Sequence, residues 1–379
     1  MPPGVGSHDR NWKQSRTVTS FLGLGPVSQG LSFEATLPRG LVHRRFVADV
    51  LLTDGRRESD ESFTVGAQWP RTHVFYRQEA GAVDSAVVAE TLRQATIYLA
   101  HQFFGVPFDS HLVMSGMRFT LDGRPLTVGL APVEVVLHVS IDGVRRGSTG
   151  LTAMKTSVAF WHGNRVIARG EGDLTVLSAK VYARVRAATA FADVGQRPVA
   201  VRAPGPDRVL ATGMVGVWRL LVDLTDPVFF DHPIDHVPGM LIVEAVRQIA
   251  RQTSGFLDGD LSRFSANFAR YLELTEETLL TVISQALVNP HQLDLVVRVA
   301  QGSTTGATVT ATVNAAETSD SASAISTSRV PAQSQRADLS TSATDPPAPT
   351  PAESRSTFLQ RVAEDPFDSS EYLTPSARL

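Results

Sequence analysis

Cysteine is absent from the 379 residues. That excludes disulfides, thiolate zinc sites, iron–sulfur clusters and a cysteine nucleophile. Lysine is scarce: Lys13, Lys155 and Lys180 leave few candidates for Schiff-base chemistry. A charge excess is missing too. The 35 Lys and Arg against 38 Asp and Glu give a formal net charge of −3, which argues for neither nucleic acid nor a membrane surface as a partner. No run reaches the ~18 consecutive apolar residues of a membrane helix. Met1 to Arg16 lacks the apolar stretch of an export signal. A soluble, cytoplasmic protein is expected. No Gly-x-Ser-x-Gly elbow, P-loop or His-Glu-x-x-His occurs, and Gly23-Leu24-Gly25 lacks the rest of a dinucleotide fingerprint.

What is present is ample apolar material, 42% of residues, for about two domains at ~150 residues each. Residues 1–30 read as a loosely ordered arm, because Gly, Pro and Ser recur without periodicity. Residues 316–379 are rich in Ser, Thr, Ala and Pro and predict a disordered tail.

The region between repeats itself. Glu90-Thr91-Leu92-Arg93-Gln94 returns as Glu244-Ala245-Val246-Arg247-Gln248, an offset of 244 − 90 = 154. Each copy sits in a helical pattern: Val88, Leu92, Ala95, Leu99 and Phe103 in the first, and Leu241, Ala245 and Ile249 in the second. Gly105 and Gly255 are the stop signals. Met117-Arg118-Phe119 and Ser262-Arg263-Phe264 follow the helices. Alternating strands come next, with turns expected at His162-Gly163-Asn164 and Thr304-Thr305-Gly306. Each half therefore reads as an early strand, a long helix and several antiparallel strands. This is an α+β pattern of tandem hot-dog repeats, over 31–190 and 205–315, each a helix wrapped by antiparallel sheet. A generic α+β sandwich would read similarly. Whether the halves close on each other in one chain or pair between chains of a homo-oligomer is open at this level.

The richest motif precedes the second helix: Asp231-His232-Pro233-Ile234-Asp235-His236-Val237-Pro238-Gly239. Pro238 suits a first helical turn, and Gly239 lets a group approach the free amides, which favour a developing oxyanion. Glu244 and Arg247 lie at i and i+3, on one helix face. A desolvated Glu244 suits a general base, while Arg247 suits either phosphate or the task of holding Glu244. The plain alternative is a structural ion pair. Asp84 or Ser85 reads as an ordinary N-cap of the first helix. His232 and His236 do not form a metal pair, because Pro233 argues against the helix that their spacing needs. Trp69, His73 and Tyr76 fit core packing better than a channel wall.

The run from Pro238 to Gln248 resembles the helix start of hot-dog hydroxyacyl-carrier-protein dehydratases, which pair the helix Glu with an upstream His. Here His232 lies 244 − 232 = 12 residues upstream, two short of the usual interval, and Arg247 departs from that pattern. A fuller resemblance is to the A-factor biosynthesis (AfsA-type) family of γ-butyrolactone signal synthases. Its marks are Val42-His43-Arg44, Val50-Leu51-Leu52-Thr53, the stretch Val65 to Tyr76 containing Gly66-Ala67-Gln68-Trp69-Pro70-Arg71, Glu90 to Ala95, and Asp231 to Met240. The resemblance implies an acyltransferase that moves a 3-oxoacyl group from acyl carrier protein to dihydroxyacetone phosphate. With no cofactor or metal motif in the sequence, direct transfer from thioester to alcohol is the expected route. The ester would lead on to a γ-butyrolactone. The resemblance also implies Glu90, Glu244 and Arg247 as the catalytic set. Read from the residues themselves, Arg93, which repeats the pattern in the first half, His232 and Gly239 are the substrate-binding candidates.

Overall fold

The computed structural model describes residues 30–76, 82–122, 126, 129–148, 150–187 and 209–316. The expected arm and tail lie outside these residues, apart from Gly30 and Ala316. The first half opens with a hairpin of β1 (Leu52–Arg57) and β2 (Ser62–Trp69), then α1 (Ser85–Gln102). Four strands follow: β3 (His111–Leu121), β4 (Val133–Gly147), β5 (Gly150–His162) and β6 (Arg165–Leu177). A short helix, α2 (Ala179–Arg186), comes next. The second half has β7 (Leu210–Thr212), β8 (Val217–Leu220), α3 (Gly239–Ser254), β9 (Asp260–Phe268), β10 (Thr278–Asn289), β11 (Gln292–Gln301) and β12 (Thr304–Asn314). Each half thus has two early strands where the sequence pattern indicated one; the extra pieces are short and carry little periodicity.

All strands join one antiparallel sheet in the order β1-β2-β4-β5-β6-β3-β9-β12-β11-β10-β8-β7. The order of the second half mirrors the first, so the halves meet at β3 and β9 within one chain. There Phe119 lies opposite Phe264. These are the repeat-equivalent residues of the two Arg-Phe motifs, and their rings stack with centroids 5.5 Å apart. Both are buried, and replacing either with Ala should cost about 3–5 kcal/mol.

Alternation drives the strands. Val133, Val135, Leu137 and Val139 of β4 point into the core while Glu134 points out. Gly163, at a φ of 54°, makes the β5–β6 turn as expected. The β11–β12 turn differs. It falls at Gly302, φ 55°, and Thr304 already pairs with Gln301. Gly306 is a strand residue, held small because a Cβ there would collide with Leu272.

α1 is buried on nearly every face, so its polar residues need internal partners. Thr91 Oγ1 donates to Val87 O and accepts from Trp69 Nε1 at 2.8 Å. Gln94 donates to Asp49 O and accepts from Leu51 N. Trp69 and Tyr76 are core residues, and His73 stacks on Tyr76. No helix among the described residues is long and apolar enough to cross a membrane.

Candidate active site

The repeated Glu-x-x-Arg-Gln places the same three side chains on α1 and α3, and the surroundings then treat them oppositely. On α1, Glu90 is fully buried. Arg93 grips both its oxygens, Nε on Oε2 at 2.8 Å and Nη2 on Oε1 at 2.7 Å. Gln94 and Arg44 also donate to Oε1, at 2.7 and 3.0 Å. Burial pushes the carboxyl pKa up, but the two guanidiniums outweigh it and hold the value at about 2.

On α3, Glu244 has one arginine. Arg247 Nε and Nη2 reach Oε2 at 2.8 and 2.6 Å, and Gln248 donates to Oε1 at 2.7 Å. Arg247 is itself shared, because its Nη1 lies 2.6 Å from Asp84 of the first half. Its guanidinium also sits over the ring of Phe75. Burial dominates here and raises the Glu244 pKa, with Asp84 adding to the rise. Asp260, beside the same group, is also raised, by burial and by Asp84.

The helix starts differ in the same direction. Asp84 is the N-cap of α1 and accepts from Ala86 N at 2.7 Å. The Ser85 amide donates to Asp260 Oδ2 at 2.6 Å, and its hydroxyl to Oδ1 at 2.7 Å. Two carboxylates, one from each half, therefore close the α1 end. The equivalent of Asp84 is Pro238, at 84 + 154, and it is the N-cap of α3 rather than a first-turn residue. It offers no side-chain cap. Its carbonyl takes Leu241 and Ile242, leaving the Gly239 and Met240 amides outside the helix ladder. A Cβ on Gly239 would only touch Phe268, at 3.5 Å, so packing does not demand glycine there.

The segment leading into α3 reaches the Glu90 cluster. Arg44 Nη1 donates to Val228 O at 2.9 Å and lies 3.6 Å from Asp231. Arg45 N donates to Asp231 Oδ2, and His232 Nδ1 donates to Oδ1 at 2.5 Å. Burial pushes the Asp231 pKa up, but the His232 and Arg44 contacts bring it below the usual range. Because a carboxylate only accepts, Nδ1 carries the proton, and no group among the described residues bonds His232 Nε2, on a side chain 37% exposed. Asp235 serves elsewhere: it holds His236 and ties down Tyr182 and Arg186 of α2.

The structure thus groups Glu90 and Arg93 with His232, and Glu244 with Arg247. The side chain of Arg247 is 5% exposed and all three of its nitrogens are spent on Glu244 and Asp84; this geometry favours holding Glu244 over gripping a phosphate. Sequence reading missed Arg44, Asp231, Asp84 and Asp260. Arg44 and Asp231 stand inside the motifs above; Asp84 is marked locally only as a helix cap, and Asp260 belongs to no local pattern.

Two hot-dog repeats joined in one sheet, with Glu-x-x-Arg-Gln on both central helices, define the class. The A-factor biosynthesis hotdog domain matches residues 28–178 and 207–317, and the chain belongs to that family. A 2-oxo-3-(phosphooxy)propyl 3-oxoalkanoate synthase of Streptomyces virginiae is 36% identical over 249 residues, 63% of this chain and 84% of that protein. One from Streptomyces coelicolor is 32% identical over 263 residues, 66% of this chain and 83% of that protein. Among solved structures, an acyl-ACP thioesterase from Bacteroides thetaiotaomicron superposes with a TM-score of 0.44 at 12% identity, over 68% of this chain and all of that one.

Proposed function

We propose that the chain is an acyltransferase that moves a 3-oxoacyl group from acyl carrier protein to the hydroxyl of dihydroxyacetone phosphate. The product is a 2-oxo-3-(phosphooxy)propyl 3-oxoalkanoate, a precursor for γ-butyrolactone signals. The carrying observation is the identity to such synthases over more than four-fifths of their length.

The α3 end is the reacting end in this reading. His232 Nε2, its tautomer held by Asp231, takes the hydroxyl proton. The oxygen attacks the thioester carbon, and the oxyanion falls to the Gly239 and Met240 amides. The C–S bond breaks, and the proton passes from His232 to the thiolate. Glu90 stays ionised and fixes Arg44 and Arg93. The chemistry balances without a cofactor, and both repeats needed come from one chain. Mass spectrometry of reactions with a 3-oxoacyl thioester and dihydroxyacetone phosphate should find the phosphorylated ester. Free 3-oxo acid as sole product would make the protein a thioesterase instead.

A second reading keeps Glu244 as the base and Arg247 as its positioner. The raised proton affinity of Glu244 favours it. It requires Glu244→Gln to lose turnover while staying folded.

A further inference from the structure

His43 is the one non-glycine residue at positive φ among the described residues, at 52°. It follows a short 3-10 turn, Arg39–Val42, and stands between two partners of the Glu90 cluster. Arg93 Nη2 also donates to Val42 O at 3.3 Å, and Arg44 bonds Glu90. The His43 ring meets His101 of α1, with Nε2 to Nε2 at 2.8 Å. His101 Nδ1 lies 2.7 Å from the carbonyl of Val106. A carbonyl only accepts, so His101 Nδ1 carries its proton and its Nε2 is a lone pair. His43 must then donate through Nε2, which leaves its Nδ1 as a bare acceptor. No described group bonds that Nδ1, and none bonds Arg93 Nη1. The imidazole is half-buried and the Arg93 side chain is 18% exposed.

The charged groups acting on His43 are basic: His101 and Arg93 on α1, His232 before α3, and His111 at the start of β3. Burial and these neighbours hold its pKa at about 3. The carboxylates nearby, Glu90 and Asp231, are already engaged by Arg93, Arg44 and His232, and neither bonds the His43 ring.

We propose that Arg93 Nη1 and His43 Nδ1 together hold the phosphate of the acyl acceptor, with His101 as the residue that fixes the His43 tautomer. The site rests on the acyltransferase reading for the identity of its phosphomonoester. One phosphate oxygen accepts from Arg93, and a second, bearing a proton, donates to His43 Nδ1. A phosphomonoester loses its second proton near pH 6, so at pH 7.5 the dianion must collect one proton as it binds. The hydroxyl end of so small a molecule then lies toward His232.

The test is calorimetry of dihydroxyacetone phosphate, without acyl donor, in two buffers of different ionisation enthalpy at pH 7.5. Wild type should take up close to one proton per ligand bound and bind dihydroxyacetone far more weakly. His43→Asn, which tolerates positive φ, should keep its melting temperature, bind about tenfold more weakly and lose the proton uptake. Arg93→Lys should weaken binding yet keep the uptake. A purely structural His43 would lower melting and leave the uptake unchanged, which overturns the proposal. Equal affinity for dihydroxyacetone and its phosphate, or no binding of either, also overturns it. Phosphate binding with the expected uptake, in a protein that forms no ester, would retain the site and remove the acyltransferase reading.

Discussion

The two helix starts begin from one repeated motif and end in opposite electrostatic states. At α1, Asp84 and Asp260 fill the amides of Ala86 and Ser85. At α3, the equivalent amides of Met240 and Gly239 bond no side-chain acceptor among the described residues. The two helix glutamates differ as well. Glu90 has two arginines and is held low, whereas Glu244 shares one arginine with Asp84 and is raised. A tandem repeat thus offers two potential reaction ends, and in this chain its own acids close one. A duplicated fold is free to do this, because a single reacting end relaxes the need for the second.

Glu90→Gln should break this comparison most severely. It strands the buried Arg44 and the partly exposed Arg93, a loss of about 3 kcal/mol, read as a fall in melting temperature. The acid limb carries the sign. Because the folded Glu90 pKa is below its ordinary 4.5, its contribution is complete above pH 4.5 and lost as pH falls toward about 2. Glu90→Gln should flatten that limb. Gly239→Val comes next. The side chain crowds the open amides, so turnover should drop by up to about 10²-fold in a folded protein. Gly239→Ala should be milder, since its Cβ finds ordinary contact with Phe268. Wild-type kinetics in folded Gly239→Val would remove the α3 amides from the mechanism. Glu244→Gln should have the smallest effect on melting. Its pKa is raised, so its carboxyl contributes below the ordinary value and that contribution fades as pH climbs through the raised one. Gln mimics the protonated form, and thermal melts from pH 4 to pH 8 would show the variant losing less stability than wild type as pH rises.

Much of this was legible in the sequence. The 154-residue offset, the two helices, their glycine stops and the Arg-Phe pair rest on local periodicity, which the fold preserves. Their motifs mark Glu90, Arg93 and His232 as candidates, and the fold brings these three into one neighbourhood. The closure of the α1 end was not legible. It depends on Ser85 meeting Asp260, 175 positions away, and on Arg247 reaching Asp84 across the joint between halves. No spacing rule carries such contacts; only the mirrored sheet brings them together. Asp84 was read as an ordinary N-cap, and it is one, but its second oxygen-bound partner changes what the helix start can do. The β11–β12 turn was misplaced for a simpler reason. Gly306 resembles a turn glycine, whereas Leu272 packing over its strand is what keeps it small.

The central claim is that transfer occurs at the open α3 end and that the α1 end is closed. Paired kinetics of His232→Gln and Glu244→Gln, with melts on the same preparations, test it most directly. With the phosphorylated ester as readout, the account predicts that His232→Gln stays folded and loses about 10²-fold or more in kcat, while Glu244→Gln turns over near wild type. A folded Glu244→Gln that loses the activity, beside a His232→Gln that keeps it, would contradict the account and make Glu244 the base.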